Sequence, residues 1–313
     1  MTATRKTPAP ARTSDAGRAV LPSESGLVPS PDGVRIAYEV YGSGEPTLVL
    51  LPSAPIVHSR QWKGQVPYLS RHYRVVTYDG RGNGQSDRPT EPEAYHDDRS
   101  VDDLEAIMDA TSTTRAVLVG LCGDGVWRSI RFAAAHPERV LGIVGFAVGV
   151  PLLSPPQPGY VLAGATFEDE LPTYEGWAKM NRHHWREDYA DFARFFFEEI
   201  TSEPHSTKAI EDAVEWALDG SVDAMLADRE AAFPFDLAAV ETVCRAVRCP
   251  MLLVHGTEDT CQPFARAERL VELTGAPLVI VEGADHMIPG RHPVLANLLI
   301  RDFVRSIEEG SAR

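Results

Sequence analysis

Residues 116–135 read Ala-Val-Leu-Val-Gly-Leu-Cys-Gly-Asp-Gly-Val-Trp-Arg-Ser-Ile-Arg-Phe-Ala-Ala-Ala, and their reading decides the fold. Ala116–Val119 is apolar at every position, the pattern of a strand buried on both faces. Val126–Ala135 carries apolar residues at helical spacing and stops before His136-Pro137. Between the two, Gly120, Gly123 and Gly125 surround Cys122. A strand that turns this sharply into a helix holds one side chain out at the carboxyl edge of its sheet and needs small neighbours. Cys122 occupies that place, at the amino end of a helix whose aligned dipoles favour a thiolate.

Outward from this turn the same alternation repeats. Thr47–Leu51, Arg74–Tyr78, Val140–Phe146, Met251–Val254 and Leu278–Val281 read as further buried strands, and residues 34–40 alternate like a half-buried one. Helical patterns fall at Val101–Ala110, Ala265–Leu273 and Pro293–Ile307. Strands alternating with helices imply right-handed crossovers and a mostly parallel sheet covered on both faces. The alternation breaks between Pro151 and Arg248, where a Pro-rich linker precedes aromatic-rich helical segments. We therefore expect a flexible tail over 1–26, an α/β core over 27–150 and 249–313, and an inserted helical cap over 151–248.

The strand–Gly-Leu-Cys-Gly-Asp-Gly–helix turn resembles the nucleophile elbow of the α/β-hydrolase family, with cysteine where serine usually stands in G-x-S-x-G and Asp124 where a small residue usually follows. Two later turns carry the resemblance on. His255-Gly256-Thr257-Glu258-Asp259 is similar to the family's G-x-x-D turn, and Glu282-Gly283-Ala284-Asp285-His286 to its G-x-x-H turn. The resemblance implies a triad of Cys122 as nucleophile, Asp259 as acid and His286 as base. The acid's other family position, one strand earlier, falls on Phe146-Ala147-Val148-Gly149-Val150, which holds no carboxylate. It also implies an oxyanion hole from the backbone N–H of Gly123 and a second donor, Ala54 or Ser53, since Pro52 and Pro55 cannot donate. Residues 79–87, Asp-Gly-Arg-Gly-Asn-Gly-Gln-Ser-Asp, resemble the family's D-x-R-G-x-G-x-S loop, read as structural.

Composition bounds the partners. The chain has 313 residues, 43% hydrophobic, and a formal charge of −15, which repels phosphate backbones and anionic membrane surfaces. Neither nucleic acid nor a membrane is expected as a partner. Four cysteines without zinc-type spacing indicate neither a disulfide scaffold nor a metal site, and point to a reducing, cytoplasmic setting. No P-loop lysine or dinucleotide motif stands in the Gly-rich loop, so no cofactor is expected. Cys261 has no visible partner in the sequence and is read as inert.

The expected activity is acyl hydrolysis or transfer on an ester or thioester of a small molecule, free or carrier-bound, through a Cys122 thioester. His58 and Trp62 after the oxyanion loop, Trp127 after the elbow, and His184 and Trp185 in the cap are the candidate substrate-binding residues. Two alternatives remain open at this point: a lyase, cyclase or isomerase using His286 as general base without a covalent step, and a ligand-binding member without turnover.

Overall fold

The computed structural model describes residues 18–152, 158–204, 207–231 and 236–311. The first 17 residues of the expected tail, residues 153–157 of the linker and the cap residue His205 lie outside the described residues. The strands are β1 (Glu24–Pro29), β2 (Arg35–Tyr41), β3 (Thr47–Leu50), β4 (Arg74–Tyr78), β5 (Ala116–Leu121), β6 (Val140–Phe146), β7 (Met251–Gly256) and β8 (Leu278–Val281). They form one eight-stranded sheet in the order β1-β2-β4-β3-β5-β6-β7-β8. β2 pairs antiparallel with β1 and β4, and every other pairing is parallel.

The helices are α1 (Val66–Leu69), α2 (Asp97–Ala110), α3 (Cys122–Ala135), α4 (Pro158–Ala165), α5 (Arg182–Ile200), α6 (Lys208–Leu218), α7 (Val222–Glu230), α8 (Leu237–Ala246), α9 (Phe264–Thr274), α10 (Ile288–Arg291) and α11 (Pro293–Ser311). Among the described residues no helix is long and apolar enough to cross a membrane.

Successive residues of a strand point to opposite faces, and here both faces are dry. Val49, Leu51, Leu118 and Leu253 enter a core shared with α2, α3, α8 and α9, whereas Leu48, Leu50, Val119 and Val254 enter one closed by α1 and α11. A third cluster, built from α4–α7, reaches the sheet edge through Ile56 and Val57.

Two boundaries differ from the sequence expectation. Residues 18–26 are not part of a loose tail: Arg18 donates to Glu39 and Tyr41, and β1 begins at Glu24. Gly26 lies flat on Tyr38, a contact across two strands that local pattern does not carry. The expected cap also ends earlier than Arg248. Val240 and Cys244 of α8 are buried with α3 and α9 in the main core, so α8 covers the sheet.

The Gly-rich loop at residues 79–87 is held by charge. Arg81 is 6% exposed, and its guanidinium meets Asp103 at 2.7 Å and Asp32 at 2.6 Å. Removing one partner leaves buried charge without full compensation. We expect Asp103→Ala to lower the unfolding free energy by about 3 kcal/mol, the low end for a broken buried pair because Asp32 remains. Urea denaturation reads this, and a loss under about 1 kcal/mol would contradict it.

Candidate active site

The elbow is a backbone device. Cys122 has φ +64°, a conformation most side chains avoid. It is tolerated because β5 and α3 approach until their backbones touch: a Cβ on Gly120 would stand 2.4 Å from the Gly125 carbonyl. Gly125 therefore performs the close contact, which frees Asp124 to carry a side chain. Asp124 accepts from Arg128 at 3.3 Å, and Arg128 in turn donates to the Ser53 carbonyl at 3.2 Å, joining elbow and oxyanion loop.

Two turns at the neighbouring strand ends face this elbow. The loop after β7 carries Asp259, whose Oδ1 accepts from the backbone N–H groups of Cys261 and Gln262 at 2.9 and 2.8 Å. His286, in the turn after β8, places Nδ1 3.1 and 3.0 Å from the two Asp259 oxygens. That contact assigns the Nδ1 proton and leaves Nε2 for another partner. His255 at the end of β7 is fully buried; its Nδ1 accepts from Val148 N–H at 3.0 Å and its Nε2 meets the Gln262 carbonyl at 3.1 Å, fixing the loop's course.

The sulfur of Cys122, the sulfur of Cys261 and a ring nitrogen of His286 all lie within 4.8 Å of one another. Gln262 Nε2 donates to both sulfurs, at 3.5 and 3.6 Å, and its Oε1 accepts from Arg266 at 2.6 Å. A hydrogen bond from Cys261 and the charge of His286 outweigh burial and bring the Cys122 thiol down to about 5. Burial opposes the charge on His286, but Asp259 and the two cysteines raise it well above an ordinary imidazole. Cys261 moves the other way, held protonated by its hydrogen bond to Cys122 and by burial. Burial also opposes charge on Asp259, and His286 overcomes it to hold the carboxyl low. These shifts share one direction: they favour negative charge on Cys122 and Asp259, positive charge on His286 and a neutral Cys261.

The match to known proteins follows from this arrangement of sheet and turns. The profile of the α/β-hydrolase fold family matches residues 46–293. The chain belongs to the α/β-hydrolase family. A non-heme chloroperoxidase of Streptomyces lividans is 27% identical over 292 residues, covering 90% of this chain and 100% of that protein. Among solved structures, a putative aryl esterase from Burkholderia cenocepacia superposes with TM-score 0.74 at 23% identity, over 91% of this chain and 100% of that one. The enol-lactonase from Burkholderia xenovorans LB400 superposes with TM-score 0.72 at 20% identity, over 89% and 99%.

In this α/β-hydrolase a cavity of about 350 Å³ opens beside the elbow, reaching Ala54 and Asp124. Met180, Trp185, Phe192, Phe196 and Met225 form its apolar wall, with Asp228 and Arg229 as polar members. Burial first, then Asp124, pushes the Asp228 carboxyl up to about 7. Of the expected substrate-binding residues only Trp185 lines this cavity. Trp62 is fully buried, with its indole N–H on the Leu51 carbonyl at 2.9 Å, and Trp127 packs in the main core and donates to Asp97 at 2.9 Å. His58 is buried between Asp79 and Asp219, and His184 bonds Asp191 at 2.9 Å. None of these four lines the cavity: the two indoles and His184 are tied by the bonds just given, and His58 packs edge-on to Trp216.

Ser53 also differs in role from Ala54. Its hydroxyl is buried against the Leu121 carbonyl and Gln61, each at 3.1 Å, while Ala54 faces the cavity. The wall residues Met180, Phe192 and Met225 were not singled out by sequence, since their spacing is that of any amphipathic helix. Cys261 and Gln262 were within reach: they stand two and three residues beyond Asp259 on the acid's own turn.

The charge pair gives a pH signature. A thiol with a lowered pKa is thiolate above that value and loses reactivity as pH falls through it. Alkylation of Cys122 by iodoacetamide should hold near its neutral rate down to about pH 5 and collapse below. In His286→Ala the reactive limb should move up toward the ordinary thiol range near about 8.5. A wild-type limb already at that position would sink the ion pair.

Proposed function

We propose that this α/β-hydrolase is an acyl hydrolase or acyltransferase that works through a Cys122 thioester. The observation that carries the reading is the convergence of the Cys122 sulfur and His286 within 4.8 Å, with His286 bonded to Asp259 behind it. In the reaction the Cys122 thiolate attacks a carbonyl carbon, and the leaving oxygen or sulfur takes the proton of the His286 imidazolium. His286, now neutral, then removes a proton from water or another acceptor as that acceptor attacks the thioester. Asp259 fixes the ring's tautomer and stabilises its positive form.

Charge on the attacked oxygen would be met by the backbone N–H of Gly123, at the amino end of α3, and by that of Ala54, which lines the cavity. Ser53 supports that loop through its hydroxyl. A thioester lies above an oxoester in energy, so activated donors such as aryl esters, lactones and thioesters suit this nucleophile. The aryl esterase and enol-lactonase with the same fold act on donors of this kind by their descriptions. The aromatic wall and its volume suit a medium-sized, partly apolar acyl group of a small molecule.

Trapping with a p-nitrophenyl ester and weighing the protein should reveal one acyl group on the wild type and none on Cys122→Ala. An adduct or full turnover in Cys122→Ala would overturn the covalent role and favour a non-covalent His286 base. His286→Ala should lose roughly 10³-fold or more in kcat/KM. Trp185→Ala should raise KM for bulky aryl esters while sparing acetyl esters, which a wall role requires and a purely structural role does not.

A further inference from the structure

Cys261 is read as inert from sequence, yet its sulfur stands in the same 4.8 Å cluster as the Cys122 sulfur and His286. The two thiols are unequal. Cys122 sits at a helix amino end beside His286, whereas Cys261 follows Asp259 in the loop after β7, with its backbone N–H held by the Asp259 carboxylate at 2.9 Å. Gln262 Nε2 reaches both sulfurs and marks the space they share. The backbone of the loop is tied down, since Thr260 donates to the Glu199 carbonyl at 2.7 Å. What remains free to close the gap is rotation of the two short side chains.

We propose that Cys122 and Cys261 are a dithiol modification site for peroxide, in which Cys261 resolves an oxidised Cys122 into a reversible disulfide. The chemistry balances in two steps. The Cys122 thiolate attacks one peroxide oxygen; the S–O bond forms, the O–O bond breaks, and the departing hydroxide takes the His286 proton and leaves as water. Cys122 is then a sulfenic acid, oxidised by two electrons, and the peroxide is reduced. Next, neutral His286 accepts the Cys261 proton as that sulfur attacks the Cys122 sulfur. The S–S bond forms, the S–O bond breaks, and hydroxide leaves with that proton as a second water.

The disulfide blocks the nucleophile at its sulfur while protecting it from irreversible oxidation. The remaining cysteines do not compete. Cys244, on α8, is buried in the main core, and Cys249 precedes the amino end of β7, a strand's length of six residues from the loop that carries Cys261. Burial pushes Cys244 up to about 12 and Cys249 up to about 11, so neither is thiolate at neutral pH. The inference goes beyond acyl transfer and stands whichever reaction the site performs.

The test treats the full chain with a small excess of hydrogen peroxide, more than the two equivalents that a sulfinic acid consumes, and reads intact mass and non-reduced peptides. The wild type is expected to lose two hydrogens, yield a linked Cys122–Cys261 peptide and recover both thiols with dithiothreitol. Cys261→Ala and Cys261→Ser are expected to add two oxygens at Cys122 instead, with at least about tenfold more irreversible product than the wild type. Two variants guard against one failing to fold, and the wild-type measurement stands without either. Oxygen gained at Cys122 with no linked peptide in the wild type overturns the proposal, as does equal protection of Cys122 in the variants.

Discussion

The left-handed backbone at Cys122 is the constraint on which the site depends. A residue at φ +64° is held there only if its surroundings leave no relaxed alternative. Here the backbone of Gly120 lies against that of Gly125, and β5, buried at every position, is locked between β3 and β6. The strain costs stability, yet it lifts the sulfur clear of the strand and sets it at the amino end of α3. On the far side, a Cβ at Gly149 would stand 2.4 Å from the Gly123 nitrogen, so the segment after β6 must also be small to let the elbow close.

Electrostatics then act on the geometry the elbow provides. Four groups meet there and their shifts run together: Asp259 and Cys122 are drawn toward their negative forms, His286 toward the imidazolium and Cys261 toward the neutral thiol. Each would be expensive to ionise alone, and each is stabilised by the next. The helices above the sheet are tied into this arrangement. Glu203 accepts from the backbone N–H of Asp285 at 3.1 Å, its own N–H bonds the Asp285 carboxylate at 3.2 Å, and Thr260 reaches Glu199 at the end of α5. The turns that carry the acid and the base are thus braced from above by the element that also walls the cavity.

Much of this was legible in the chain. Buried strands declare themselves because both faces are apolar, and Thr47–Leu50, Arg74–Tyr78 and Val140–Phe146 are found where the pattern puts them; Leu278–Val281 is a strand too, but at the sheet's edge, with Ile280 exposed rather than buried. β1 was hidden because Glu24-Ser25-Gly26 has the composition of a tail and becomes a strand only by pairing with β2. Trp62 and Trp127 misled for a related reason. A tryptophan near a functional loop has the same letter whether its indole meets a ligand or, as here, a main-chain carbonyl and a carboxylate.

The sequence by itself determined the order of strands and turns along the chain, and with it that a cysteine, a carboxylate and an imidazole follow the carboxyl ends of three strands. It could do so because strand and helix periods are local, and glycine has no side chain to obstruct a tight turn. Only the tertiary structure decided that Cys261 and Gln262 meet Cys122 across a separation of some 140 residues, that α8 belongs to the sheet's cover, and that Trp185 alone of the expected substrate-binding residues lines the cavity. Those outcomes depend on sheet order and on how helices settle on it. Both are set by packing among distant surfaces, which no short stretch of chain encodes.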